Sequence, residues 1–259
     1  MTAAMAWRAG LAYSRAGVRR CQMRRQLFGF LTVLFCLPVG LALALSVGFP
    51  QAPWLGPTTF VLSSITVIGG GLSLMVAVEA SVRGETIGPA TVIRRAIGYL
   101  PRYILTNAHT TVFYWSIMGP AIYLAGTLTA GRPVGLVVAA WALVVVVGVV
   151  VHLHTLFAPY MAVHSDLHPT RAAIEGFRLA RSQFALSAAT FVSATAGIGV
   201  PLLVAIGALW IYATREGPAT AQLFDVALPY LMAALVQLVR PVMVASLHAM
   251  YEDFRPNAA

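Results

Sequence analysis

The chain alternates long apolar runs with short polar connections that carry arginine. Six runs reach the length of about 20 residues that a membrane-spanning helix needs: 27–48, 58–78, 104–128, 134–154, 184–211 and 226–251. The fourth is the clearest, since Val134 to Val151 is apolar without interruption, enough at 1.5 Å per residue to cover about 27 Å. Turns rich in proline and glycine separate the runs, among them Pro50-Gln51-Ala52-Pro53 and Gly131-Arg132-Pro133. The pattern predicts an all-α fold, a polytopic bundle of six transmembrane helices with amphipathic connector helices on the cytoplasmic side. Its divisions are an N-terminal amphipathic segment, 1–26, a transmembrane domain, 27–251, and a short tail, 252–259.

Composition agrees. Of 259 residues, 59% are apolar and 10% are charged, whereas a soluble domain is about half apolar and about a quarter charged. The formal charge of +9 does not point to nucleic acid, because its distribution is that of a membrane topology. All 17 basic residues are arginine. Arg8, Arg15, Arg19, Arg20, Arg24 and Arg25 precede the first run; Arg83, Arg94, Arg95 and Arg102 lie between the second and third; Arg171, Arg178 and Arg181 lie between the fourth and fifth; Arg255 is in the tail. Only Arg132 and Arg215 fall on the opposite side, with Arg240 inside the sixth run. Fourteen against two places the rich side in the cytoplasm, so both ends of the chain are expected there, in the plasma membrane.

Arg24-Arg25-Gln26-Leu27-Phe28 and Ala42-Leu43-Ala44 look faintly like a leader and its cleavage site. Five further runs follow, so the first is read as an anchor that stays. Ahead of it, Trp7, Leu11 and Val18 share one helical face and Arg8, Arg15 and Arg19 another. That is the pattern of a helix lying in the membrane interface; a loose arginine-rich tail is the alternative. Cys21 and Cys36 form no disulfide framework.

The two longest cytoplasmic connections resemble each other. Each opens with an acid (Glu85, Asp166), reaches a proline suited to a first helical turn (Pro89, Pro169) and then becomes amphipathic. In the second, Arg171, Glu175, Arg178 and Ser182 form a polar stripe opposite Ile174, Phe177, Ala180 and Phe184. With Met75-Val-Ala-Val-Glu79 echoed by Met161-Ala-Val-His164, segments 58–128 and 134–211 look like divergent repeats.

Three stretches carry a family resemblance: Ala80-Ser-Val-Arg-Gly-Glu-Thr86, Phe157-Ala-Pro-Tyr-Met-Ala-Val163 leading into Ala172-Ala-Ile-Glu-Gly-Phe-Arg-Leu-Ala-Arg181, and Met250-Tyr-Glu-Asp-Phe-Arg255. From about residue 60 onward the chain resembles the six-helix membrane domain associated with glycerophosphoryl diester phosphodiesterases and its stand-alone relatives. Around Arg83-Gly84-Glu85 it is also similar to the YesL-like family. The resemblance implies a fold and a compartment. It implies no activity, since that domain carries no established catalytic residues and the phosphodiesterase domain has no counterpart here.

Ionisable groups inside a membrane are the first places to look for function. Glu79 lies near the cytoplasmic end of the second run and Arg240 deep in the sixth, so an ion pair between them is expected. In an alternative reading the last span begins near Ala219 and ends at Arg240, leaving 242–254 on the interface. Six histidines are present, but His152 and His154 stand about 200° apart on a helix and cannot share one ligand. Interfacial positions or bonds to backbone carbonyls are the expected role, and no metal or cofactor is assigned. Ala185, Ala189, Ser193 and Gly197, four residues apart, predict a close helix-packing face. No catalytic constellation is recognisable. The expected function is that of an integral membrane component engaging lipid, with anionic head groups held by Arg94, Arg95, Arg102, Arg171, Arg178 and Arg181, or engaging a protein partner or a second copy. The alternative is a transporter or permease subunit with a polar path near Glu79 and Arg240.

Overall fold

The computed structural model describes residues 2–165 and 167–254, and these are helical almost throughout, with no strand among them. Asp166, the acid expected to open the second connector, and Arg255, counted in the tail, lie outside the described residues. Helix α1 (Ala3–Met23) starts at Thr2, whose hydroxyl accepts from the Met5 N–H at 3.3 Å, a normal N-cap. Helix α2 (Arg25–Gly48) follows, then α3 (Leu55–Ser64), a single π-helical turn (Ile65–Gly69) and α4 (Gly70–Val82). Gly84, at φ +71, lets the chain turn before Pro89 opens α5 (Pro89–Thr129). Helices α6 (Val134–Thr155), α7 (Ala158–His164), α8 (Pro169–Ser182), α9 (Phe184–Glu216) and α10 (Pro218–Phe254) complete the order. Pro89 and Pro169 occupy first turns, as their position in each connector predicts.

Five helical stretches are long and apolar enough to cross a membrane: Arg25–Gly48, Leu55–Val82, Val134–His164, Phe184–Glu216 and Thr220–Phe254. The sixth expected span, 104–128, is the later part of the 41-residue helix α5 and is not among them. Thr106, Asn107, His109, Thr110 and Thr111 crowd its first two turns, and Tyr114, Trp115, Ser116, Tyr123 and Thr127 beyond them dilute the apolar run further. Several of these side chains turn back onto the helix: Asn107 donates to the Tyr103 carbonyl at 2.8 Å and Thr110 to the Asn107 carbonyl at 2.9 Å. The last span is not divided at Arg240. Helix α10 runs unbroken through Pro229 and Pro241.

The described residues form two compact units, 2–98 with 189–253, and 99–165 with 167–188 and 254. Their boundaries fall inside the two segments that read as repeats. In the first unit α4 is central, with every residue from Gly70 to Val78 buried. Phe28 and Leu31 of α2 and Val244, Ala245, Leu247 and Met250 of α10 are buried in the same unit. In the second unit α7 is nearly all buried and packs on α8, and Met118 and Ala125 of α5 meet Val144 of α6. Elsewhere the apolar side chains face outward. Val134, Leu136, Val138, Leu143 and Val145 of α6 and Leu203, Val204 and Leu209 of α9 are exposed. Such faces are costly in water and natural in hydrocarbon, where helices associate by packing and not by water exclusion.

Both amphipathic helices pack through their small residues. Helix α1 buries Ala6, Gly10, Ser14 and Gly17, while Trp7 and Val18, read as its apolar face, stay exposed. A Cβ on Gly10 would stand 2.8 Å from the Ala189 Cβ, and one on Gly17 would stand 2.2 Å from the Ser246 Oγ. Helix α8 buries Ala172, Ala173, Gly176 and Ala180 together with Leu179, and leaves Ile174 exposed. Phe177 packs edge-on against Phe113 at 4.5 Å.

Candidate functional site

A polar cluster of the first unit joins α1, α4 and α10. Glu79 of α4 and Arg83, one turn on at the end of that helix, pair at 2.5 Å. The other Glu79 oxygen accepts from His248 Nε2 at 2.9 Å. His248 Nδ1 lies 3.5 Å from the Glu252 carboxylate and 3.4 Å from Arg20 Nη1. Arg20 Nη2 closes the chain on Glu252 at 2.8 Å. Basic and acidic side chains alternate from Arg83 through Glu79, His248 and Glu252 to Arg20, and the His248 side chain is 1% exposed. A buried imidazole in an apolar bundle needs such partners to offset its lost hydration. The i, i+4 spacing of Glu79 with Arg83, and of His248 with Glu252, presents each pair on one helical face. Nearby, Tyr13 donates to Asp253 at 2.6 Å. Burial, and then the Asp253 carboxylate beside it, raise the Tyr13 phenol above its ordinary value, so the hydroxyl remains a donor. Burial also pushes the Cys21 thiol up to about 11, which suppresses its reactive thiolate.

Arg240 has other partners than the expected one. Its Nη2 donates to the Val67 carbonyl at 2.6 Å, and its Nη1 to the Thr66 carbonyl at 3.2 Å and to Gln237 at 3.3 Å. Thr66 and Val67 belong to the π-helical turn, where both carbonyls also accept from the Gly70 N–H, and their second lone pairs go to the arginine. Glu79 lies twelve residues beyond Val67, about 18 Å farther along the helix, and its two oxygens are on Arg83 and His248. The structure thus corrects the expected Glu79–Arg240 pair: main-chain dipoles hold the arginine and a histidine holds the glutamate.

The six arginines expected at head groups differ in their surroundings. Arg94, Arg171 and Arg181 are exposed. Arg95 pairs with Glu85 at 2.5 Å and Arg178 with Glu175 at 2.9 Å, while Arg102 donates to the Leu167 carbonyl. On the small-residue stripe of α9, Ala189 meets Gly10 and Ser193 donates to the Gly10 carbonyl at 3.1 Å. Ala185 is exposed, and a Cβ on Gly197 would meet nothing within 4 Å, so the stripe packs at its middle and not at its ends. His109 and His154 bond the carbonyls of Leu105 and Val150 at 2.7 and 2.8 Å. Sequence reasoning missed the small face of α1, although Ala6, Gly10 and Ser14 carry the same spacing of four. It also missed a cavity lined by Arg24 and Arg25.

The described helices define an all-α chain compatible with a multi-pass integral membrane protein. Comparison with protein-family models, with curated proteins and with solved structures finds no match.

Proposed function

We propose that this chain is a six-span plasma-membrane protein with both ends in the cytoplasm, and that it serves as a lipid-engaging membrane component without catalysis of its own. The resemblance to the six-helix membrane domain associated with glycerophosphoryl diester phosphodiesterases supports the same reading. The observation that carries it is the concentration of arginine in the segments read as cytoplasmic, with the Arg94, Arg171 and Arg181 side chains exposed. An arginine near an anionic leaflet is worth about 1 kcal/mol, and a planar guanidinium grips phosphate through two parallel hydrogen bonds. A protein partner or a second copy would engage the same arginines. Transport through a path at Arg240 has less support, because that guanidinium already rests on the Thr66 and Val67 carbonyls.

The test is lipid analysis of the purified full chain. Replacing Arg94, Arg171 and Arg181 by glutamine should lower the co-purified fraction of anionic lipid while the thermal midpoint in detergent changes little. An unchanged lipid profile would reduce these arginines to topology signals.

A further inference from the structure

A cavity of about 580 Å³ opens where α1 passes into α2 and α4 passes toward α5, wholly within the first unit. Arg24, Arg25 and Gln22 line one wall, and Leu27, Phe30 and Ala77 contribute to an apolar one. Glu85 is the one carboxylate among its lining residues, and it is already engaged. Its side chain meets Arg95 at 2.5 Å, and its carbonyl accepts from Arg24 at 3.1 Å. The charge left to the cavity is therefore positive. The apolar wall runs onto a candidate span, where Phe30 is half exposed.

The volume falls in the range of about 300–1,000 Å³ typical of sites for small organic ligands, far more than a bare phosphate needs. A basic end joined to an apolar wall at the end of a spanning helix matches one chemistry, an anion with a hydrocarbon tail. We propose that this cavity is a specific site for one anionic glycerophospholipid, its phosphate between Arg24 and Arg25 and its first acyl carbons along Leu27 and Phe30. The proposal deepens the lipid-engaging reading and rests on it, but it assigns the specific contact to residues outside the two connectors.

The test titrates the full chain, in neutral detergent micelles, with dihexanoyl phosphatidylglycerol, dihexanoyl phosphatidylcholine and glycerol 3-phosphate, following heat. Phosphatidylglycerol should saturate one site, and the other two should bind at least tenfold more weakly. Arg25→Gln should weaken phosphatidylglycerol about tenfold. Ser81→Trp, which fills the cavity and leaves every arginine in place, should abolish the saturable site, and Arg132→Gln with Arg215→Gln should not alter it. Unchanged binding in Ser81→Trp would overturn the proposal. So would glycerol 3-phosphate binding as tightly as the lipid, which would make the site one for a free phosphate ester. A general preference for anionic lipid that falls equally with the connector arginines would overturn the cavity and leave the broader reading standing. No preference for anionic lipid in any variant would end both.

Discussion

At the scale of single residues, an ionisable side chain inside a bundle takes the partner that geometry brings, which need not be the one with opposite charge. Arg240 rests on two carbonyls of a π-helical turn, and Glu79 on His248. Residues more than about 10 Å apart usually add their effects to within about 0.5 kcal/mol, whereas neighbours couple by about 0.5–3 kcal/mol. Glu79→Gln combined with Arg240→Ala should therefore be additive in chemical denaturation of the detergent-solubilised protein. Glu79→Gln combined with His248→Ala should be less destabilising than the sum of the two alone. A rescue in the first cycle would restore the ion pair read from the sequence. That reading went wrong for a definite reason. Depth along a helix can be counted from the sequence, but the π-helical turn that supplies acceptors at Thr66 and Val67 has no marker there beyond the flanking Gly69-Gly70.

At the scale of elements, the amphipathic helices bury mainly small residues and leave large ones such as Trp7, Val18 and Ile174 exposed, unlike a soluble helix. A helix that packs within or against a membrane gains by close backbone approach, and it loses little by leaving tryptophan or isoleucine to face lipid. The contacts at Gly17 and Gly176 leave no room for a methyl group. A Cβ on Gly176 would stand 2.5 Å from both the Cα and the N of Ala158, and backbone cannot yield as a flexible side chain can. Gly176→Ala and Gly17→Ala should each destabilise by about 1–3 kcal/mol through overpacking. Gly126→Ala, where nothing lies within 4 Å, should be neutral or stabilise by up to about 1 kcal/mol, since alanine is the better helix former. Thermal unfolding of the three variants in detergent orders them. If Gly176→Ala matched Gly126→Ala, the small face of α8 would not be a packing contact.

At the scale of the whole molecule, arginine placement and apolar length combine into a topology. In a Cys21→Ser, Cys36→Ser background, single cysteines at Pro53 and Arg215 should react with an impermeant maleimide in intact cells, and cysteines at Arg94 and Arg171 only after permeabilisation. Labelling of Arg94→Cys from outside would reverse the orientation. The helices themselves were legible in the sequence. Apolar runs of about 20 residues and prolines at first turns are local properties, and α2, α6 and α9 begin or end within a few residues of the expected bounds. Length and composition alone determined that the chain is all-helical and apolar enough to span a membrane, because backbone groups in hydrocarbon must be satisfied within each segment. The tertiary structure decided which faces meet. It put the small face of α1 against α9 and α10, gave Glu79 to His248, and opened a basic cavity beside α2. Those outcomes depend on distances between residues up to 240 positions apart, and no local pattern encodes them.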